Sequence, residues 1–171
     1  MFNHFIIWLP ASIVVIYVVY IMGSYFICGN ELISINYDYY ITVTKSKFVN
    51  EVVKWCFNNM EYPSGHKYYP QVKICYYKTK RNRFGDYSSN IRLIRIFINN
   101  HFSVEELINT IIHEYTHYLD MPTQHNQKEY SRYLKQIGYF ENPYEINARE
   151  SADKYTPMCL KEMKRLGFIT R

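Results

Sequence analysis

A chain of 171 residues is the size of one domain and is long enough to bury a genuine core. Its net charge of +5 is modest, enough to favour acidic membrane surfaces or anionic partners and also no more than solubility asks for. The four cysteines (Cys28, Cys56, Cys75, Cys159) form no CxxC pair and read as ordinary apolar residues suited to a reducing compartment, and no internal repeat or low-complexity tract is present.

Along the chain, Phe5 to Cys28, "FIIWLPASIVVIYVVYIMGSYFIC", contains no Asp, Glu, Lys or Arg. As a helix it would rise about 36 Å, enough for a bilayer core of about 30 Å, with Trp8 and Tyr25 near its ends. A signal peptide would carry a basic start and a small-residue cleavage site, and "MFNH" and "SYFICGN" supply neither. The expected organisation is a single-pass N-terminal anchor over residues 1–29 that holds the chain to the lipid bilayer, a connector over 30–46 and a globular domain over 47–171. The first basic residues after the span, Lys45 and Lys47, lean towards a cytoplasmic C-terminal domain.

The connector holds one short strand pattern. "KFVNEVVKWCFNNMEY" then places Phe48, Val52, Val53, Cys56, Phe57 and Met60 at helical spacing, closed by Pro63 and Gly65. "QVKICYY" alternates as a strand, "KTKRNRFGDYSSN" reads as a basic turn-rich loop, and "IRLIRIFI" is a second strand with Ile94, Ile96 and Ile98 on one face. The basic loop is better read as a solvated hairpin than as a phosphate site. The wealth of Tyr and Phe lacks any ordered RNA-binding motif, so nucleic acid is not an expected partner.

Ser103 and Glu106 form a capping box that starts a helix at Val104, with an apolar stripe of Val104, Leu107, Ile108, Ile111, Ile112, Tyr115 and Leu119. The helix carries "HEYTH". His113 and His117 stand at i and i+4, so both imidazoles leave one face about a turn apart, a spacing that suits two nitrogens on one tetrahedral Zn²⁺. Glu114 is turned about 100° from His113, poorly placed as a ligand and well placed to take a proton from a water on the metal. A short helix near Lys128 to Ile137 follows. Another begins with Asn142 as N-cap and Pro143 at its first position, is interrupted at Pro157, and resumes in a last turn stopped at Gly167.

"HEYTH" after an apolar helical run, followed by "NPYEINARESA", resembles the zincin metallopeptidases of gluzincin type, the nearest likenesses being the minigluzincins and the ImmA/IrrE-like peptidases. The order of helix, strand, "FGDY" loop, strand and HExxH helix is similar to the SprT-like domains, and the resemblance covers roughly Lys47 to Tyr155. It implies an α+β zincin-like fold in which a small twisted sheet packs on the active-site helix. It also implies an edge strand, here "IRLIRIFI", that pairs with an extended protein or peptide substrate.

The chain departs from the families it resembles in three places. Thr123 stands where a metzincin has its third histidine, His125 is too close for the SprT-like pattern, and Arg149 stands where gluzincins have a buttressing Asp. A glutamate is left as third ligand. Glu145 and Glu150 both lie on the following helix, and Asp120 is a further candidate. Ala148 and Ala152 share the face of Glu145 and permit close helix approach, whereas Glu150 shares a polar stripe with Asn147 and Lys154, so Glu145 is favoured, as it is by the resemblance. Asp120 or Asp153 would replace the buttress, and Tyr118, Tyr139 and Tyr144 are the nearby oxyanion candidates. The expected protein is a membrane-anchored zinc metallopeptidase: one Zn²⁺ on His113, His117 and Glu145, with Glu114 as general base. The alternatives are a zinc-stabilised, membrane-tethered peptide-binding module that does not cut, and a basic adaptor with no metal.

Overall fold

Six short strands and four helices follow one another in the described residues of the computed structural model, which are 34–35, 39–60, 68–77 and 83–171. Strands β1 (Ser34–Ile35), β2 (Tyr39–Ile41) and β6 (Ile169–Thr170) form an antiparallel sheet in the order β1-β2-β6. Strand β2 lies inside the expected connector, yet it pairs with the C-terminal strand and buries Ile41 against the core.

Helix α1 (Lys45–Asn59) is capped by Thr44, whose hydroxyl accepts from the Lys47 amide at 3.3 Å. Phe48, Val49, Val52, Val53 and Cys56 give it one fully buried face, and Met60 is buried just beyond its end. Pro63 and Gly65, expected to close it, lie outside the described residues.

The second sheet joins β3 (Gln71–Cys75), β5 (Leu93–Phe97) and β4 (Gly85–Ser88) in the order β3-β5-β4, with β3 parallel and β4 antiparallel to β5. "IRLIRIFI" was expected at the edge of the sheet, and the structure corrects this. Ile94 and Ile96 on β5 are fully buried, which suits the centre of a sheet, and the edges are β3 and β4, the latter from the segment read as a loop. Ile98 is also buried but belongs to a short 3₁₀ turn, Ile98–Asn100.

Helix α2 (Val104–Asp120) runs through the middle of the core. The Ser103 hydroxyl accepts from the Glu106 amide at 2.9 Å, while the Glu106 carboxylate accepts from the Phe102 amide at 2.6 Å. All seven residues of the expected apolar stripe are buried.

Helix α3 (Gln124–Gln136) starts a turn before the expected position because Thr123 caps it, and none of its residues is buried. Helix α4 (Pro143–Arg165) begins at the expected cap, with Asn142 Oδ1 accepting from the Tyr144 amide at 3.1 Å. It does not break at Pro157. Ala148, Ala152, Thr156, Cys159 and Met163 form one continuous buried stripe, and Pro157 with Asp153, whose carbonyl it leaves without an amide, lies on the exposed face. Gly167, at φ 74°, closes the helix, with Gly167 and Phe168 amides donating back to Lys164 and Met163 carbonyls.

The membrane anchor requires correction. Among the described residues no helix is long and apolar enough to cross a membrane, and the expected span at Phe5 to Cys28 lies outside them. The longest helix, α4, has 23 residues but is studded with charges from Glu145 to Arg165. Among the described residues the fold class is therefore α+β with small sheets and no spanning helix, and the single-pass membrane localisation is withdrawn.

Candidate metal centre

Three of the expected site residues meet at one point between α2 and α4. His113 Nε2 lies 3.2 Å from Glu145 Oε2, His117 Nε2 lies 3.4 Å from Glu145 Oε1, and the two Nε2 atoms are 3.1 Å apart. A tetrahedral zinc with bonds of about 2.0–2.1 Å separates its ligands by roughly 3.3 Å, so the three donors stand at the spacing that such an ion imposes. Among the described residues they form the one group of three or more His, Cys, Asp or Glu side chains that converges in this way. His117 and Glu145 are buried, His113 is half-buried, and Glu145 Oε2 has no hydrogen-bond donor, a buried carboxylate oxygen suited to a cation.

The sequence explains why Glu145 gets so close. Ala148 and Ala152 are buried on its face, and their small side chains let α4 come close to α2 there. Glu150 is exposed and does not belong to the group. Asp120 does not belong either: its Oδ2 accepts from Asn147 Nδ2 at 2.6 Å, tying the ends of the two ligand-bearing helices together.

Burial alone would raise the Glu145 carboxyl, but the facing imidazoles of His113 and His117 outweigh it and hold the group well below the usual carboxylate range. Burial likewise opposes a charge on His117, yet the Glu145 carboxylate and the nearby Glu114 raise its pKa. Glu114 is a different case. Burial pushes it up to about 8 against a partial pull from His117, with Asp86 and Glu145 adding repulsion.

Strand β4 lies directly over Glu114. A Cβ at Gly85 would stand 2.7 Å from Glu114 Cγ and 2.9 Å from Thr110 Cγ2, so only glycine lets the strand come this near. Asp86, the next residue, pairs with Arg95 on β5. The glycine of "FGDY" was visible in the sequence, but nothing local announced a strand.

The donors line an open cleft of about 670 Å³ between β4 and α3, within the range of ligand sites. Its far wall is α3, through Gln127, Tyr130, Ser131 and Leu134. Tyr130 is the residue that the sequence reading missed. Its hydroxyl donates to Glu145 Oε1 at 2.7 Å, and burial together with that carboxylate keeps the phenol protonated well above its ordinary range. The period of α3 (Gln127, Tyr130, Ser131, Leu134 at i, i+3, i+4, i+7) was the available signal.

Of the expected tyrosines, Tyr139 lines the cleft and is raised by burial and by Glu145. Tyr118 is buried and donates to the Tyr68 carbonyl, and Tyr144 donates to Glu129 at 2.8 Å, so neither hydroxyl is directed at the donors. Of the expected buttress candidates Asp120 is held by Asn147 and Asp153 is exposed; among the described residues His117 Nδ1 is buried with no hydrogen-bond partner, and Arg149 donates to the Phe140 carbonyl at 2.5 Å.

No protein-family model matches this chain, and no curated protein and no solved structure is significantly similar to it.

Proposed function

We propose that this protein is a zinc-dependent metallopeptidase that hydrolyses a peptide bond in the cleft between β4 and α3. The observation that carries the reading is the convergence of His113, His117 and Glu145 at 3.1–3.4 Å, with Glu114 beside them. His113, His117 and Glu145 would hold one Zn²⁺. When bound, it supplies a Lewis acid that polarises a carbonyl and acidifies a water.

The chain's own groups do the rest. Glu114, buried and adjacent but outside the donor group, would be ionised by the charge of a bound cation; in that form it accepts the proton of the attacking water and returns it to the amine nitrogen as the C–N bond breaks. Tyr139, which lines the cleft, is the expected tyrosine left to donate to a developing oxyanion, whereas Tyr130 donates to Glu145. Among the described residues strand β4 pairs with β5 on one side only, so its other edge is available to an extended peptide through backbone hydrogen bonds.

The orphaned Nδ1 of His117 favours a second reading, a peptide-binding module that keeps zinc for stability without cutting. Two measurements on the purified protein separate the readings. Metal analysis should give one zinc per chain, lost on His113→Ala. Cleavage of a broad peptide library should vanish on Glu114→Gln with the zinc retained. Zinc without cleavage in the wild type would leave the binding module, and no zinc would leave the metal-free adaptor.

A further inference from the structure

The catalytic cleft does not end at the metal donors. Gln127 and Ser131 on α3 line it, and the same two residues line a second groove of about 550 Å³ on the outer side of that helix. The rest of this groove is Asn90, Gln124, Lys128, Arg132 and Lys135. It contains three cations, four neutral polar side chains and no carboxylate.

The cations are placed on one face by their spacing, i, i+4 and i+7 along α3. Glu129 is the sole acid of the helix, and it is occupied: one oxygen accepts from the Tyr144 hydroxyl at 2.8 Å and the other lies 3.3 Å from Arg132. Lys128 and Lys135 form no ion pair among the described residues. The cleft at the donors, by contrast, contains both signs, with Glu145 beside the histidines and Asp86 paired with Arg83 and Arg95.

Strand β4 connects the two regions. Gly85 sits against Glu114, Ser88 ends the strand, and the Ser89–Ile91 turn follows at once, packed against α3 with Asn90 in the second groove. An extended peptide added to β4 would leave the cleft over this turn. At about 3.3 Å per residue, an extended peptide paired along Gly85–Ser88 passes the strand and reaches the turn within about three to five residues.

We propose that the groove between the Ser89–Ile91 turn and α3 selects peptides that carry acidic side chains some three to five residues from the bond held in the cleft, bound by Lys128, Arg132 and Lys135. The inference rests on the peptide reading of the cleft and names the substrate class. Charge pairs at an exposed site steer and select more than they anchor, so the effect belongs in discrimination between peptides and in salt dependence.

The test is fluorescence anisotropy with the zinc-loaded full chain bearing Glu114→Gln, which keeps peptides uncut. Four fluorescein-labelled peptides share one central Ala-Tyr-Ala-Ala segment and carry four glutamates on its N-terminal side, four glutamates on its C-terminal side, or four lysines in either place. One glutamate peptide should bind about tenfold more tightly than its lysine counterpart at 50 mM salt, and the difference should fall to about twofold at 300 mM. Lys128→Glu with Lys135→Glu should abolish or reverse the preference.

Equal affinity for all four peptides, or a preference that survives the double charge reversal, would overturn the proposal. Cleavage by the wild type that is indifferent to the charged blocks would also overturn it, while leaving the peptidase reading intact. A reversible preference in a protein that cuts nothing would support the groove and remove the peptidase.

Discussion

Glu114 is expected to weaken the fold in which it works. Its carboxyl rises from 4.5 to about 8 on folding, so the folded chain holds the proton more tightly than the unfolded chain does. The sign follows directly. The contribution to stability is fully present below pH 4.5, declines as pH rises between 4.5 and 8, and is gone above that, where a buried anion must be carried. At 1.36 kcal/mol per pKa unit the full penalty is about 5 kcal/mol, and relaxation and water entry bring the measurable effect to about 2–5 kcal/mol. Glu114→Gln keeps the shape and cannot ionise. Urea unfolding of the metal-free proteins should therefore show near-equal stability at pH 5 and a variant more stable by that amount at pH 9. A variant less stable than wild type at pH 9, or a difference that does not change with pH, would show that Glu114 is not a desolvated carboxylate.

Four further outcomes follow from the same geometry. Glu145→Ala should lower zinc affinity by orders of magnitude in a chelator competition while Glu150→Ala leaves it within about twofold, because only Glu145 faces the histidines. Tyr130→Phe, which removes the donor to Glu145 Oε1, should weaken zinc by about 10–100-fold. Gly85→Ala should drive a methyl into Glu114 and Thr110, costing about 1–3 kcal/mol in denaturant unfolding and lowering peptide cleavage with zinc retained. His101, buried beside Phe84 and lowered by burial from 6.5, contributes stability that is present above pH 6.5 and is lost as pH falls through its folded pKa, so His101→Phe should flatten the acid side of a melting-temperature profile.

What could be read in advance was what depends on a single element. The capping box and apolar stripe of α2 fix its start and its buried face, and i, i+4 spacing alone brings the two imidazoles together. Glu145 could be preferred because Ala148 and Ala152 mark the face along which two helices can touch. What could not be read depends on partners. Strand β4 has only four half-buried residues including a glycine, so its identity comes from pairing with β5 and from the carboxylate beneath it. Helix α3 buries none of its residues, so its part in the cleft has no apolar signature. Pro157 ends a helix in isolation but not one whose buried stripe continues past it on the opposite face.

The absent buttress fits this division. The expected pattern has an Asp at the position of Arg149 to orient a histidine, and Arg149 turns to the Phe140 carbonyl instead. The orienting contacts fall on the glutamate instead. Glu145 is gripped by Tyr130 from α3 and faces both imidazoles, and the Asp120–Asn147 hydrogen bond joins α2 to α4 beside it. A site organised from the carboxylate tolerates an unbuttressed His117 as long as α2, α3 and α4 keep their register. Its donors come from two helices and its bracing from a third, so an ion bound there joins segments that are separate in the unfolded chain. Metal affinity and fold stability are then coupled, and substitutions that loosen α3 should release zinc although α3 supplies no ligand.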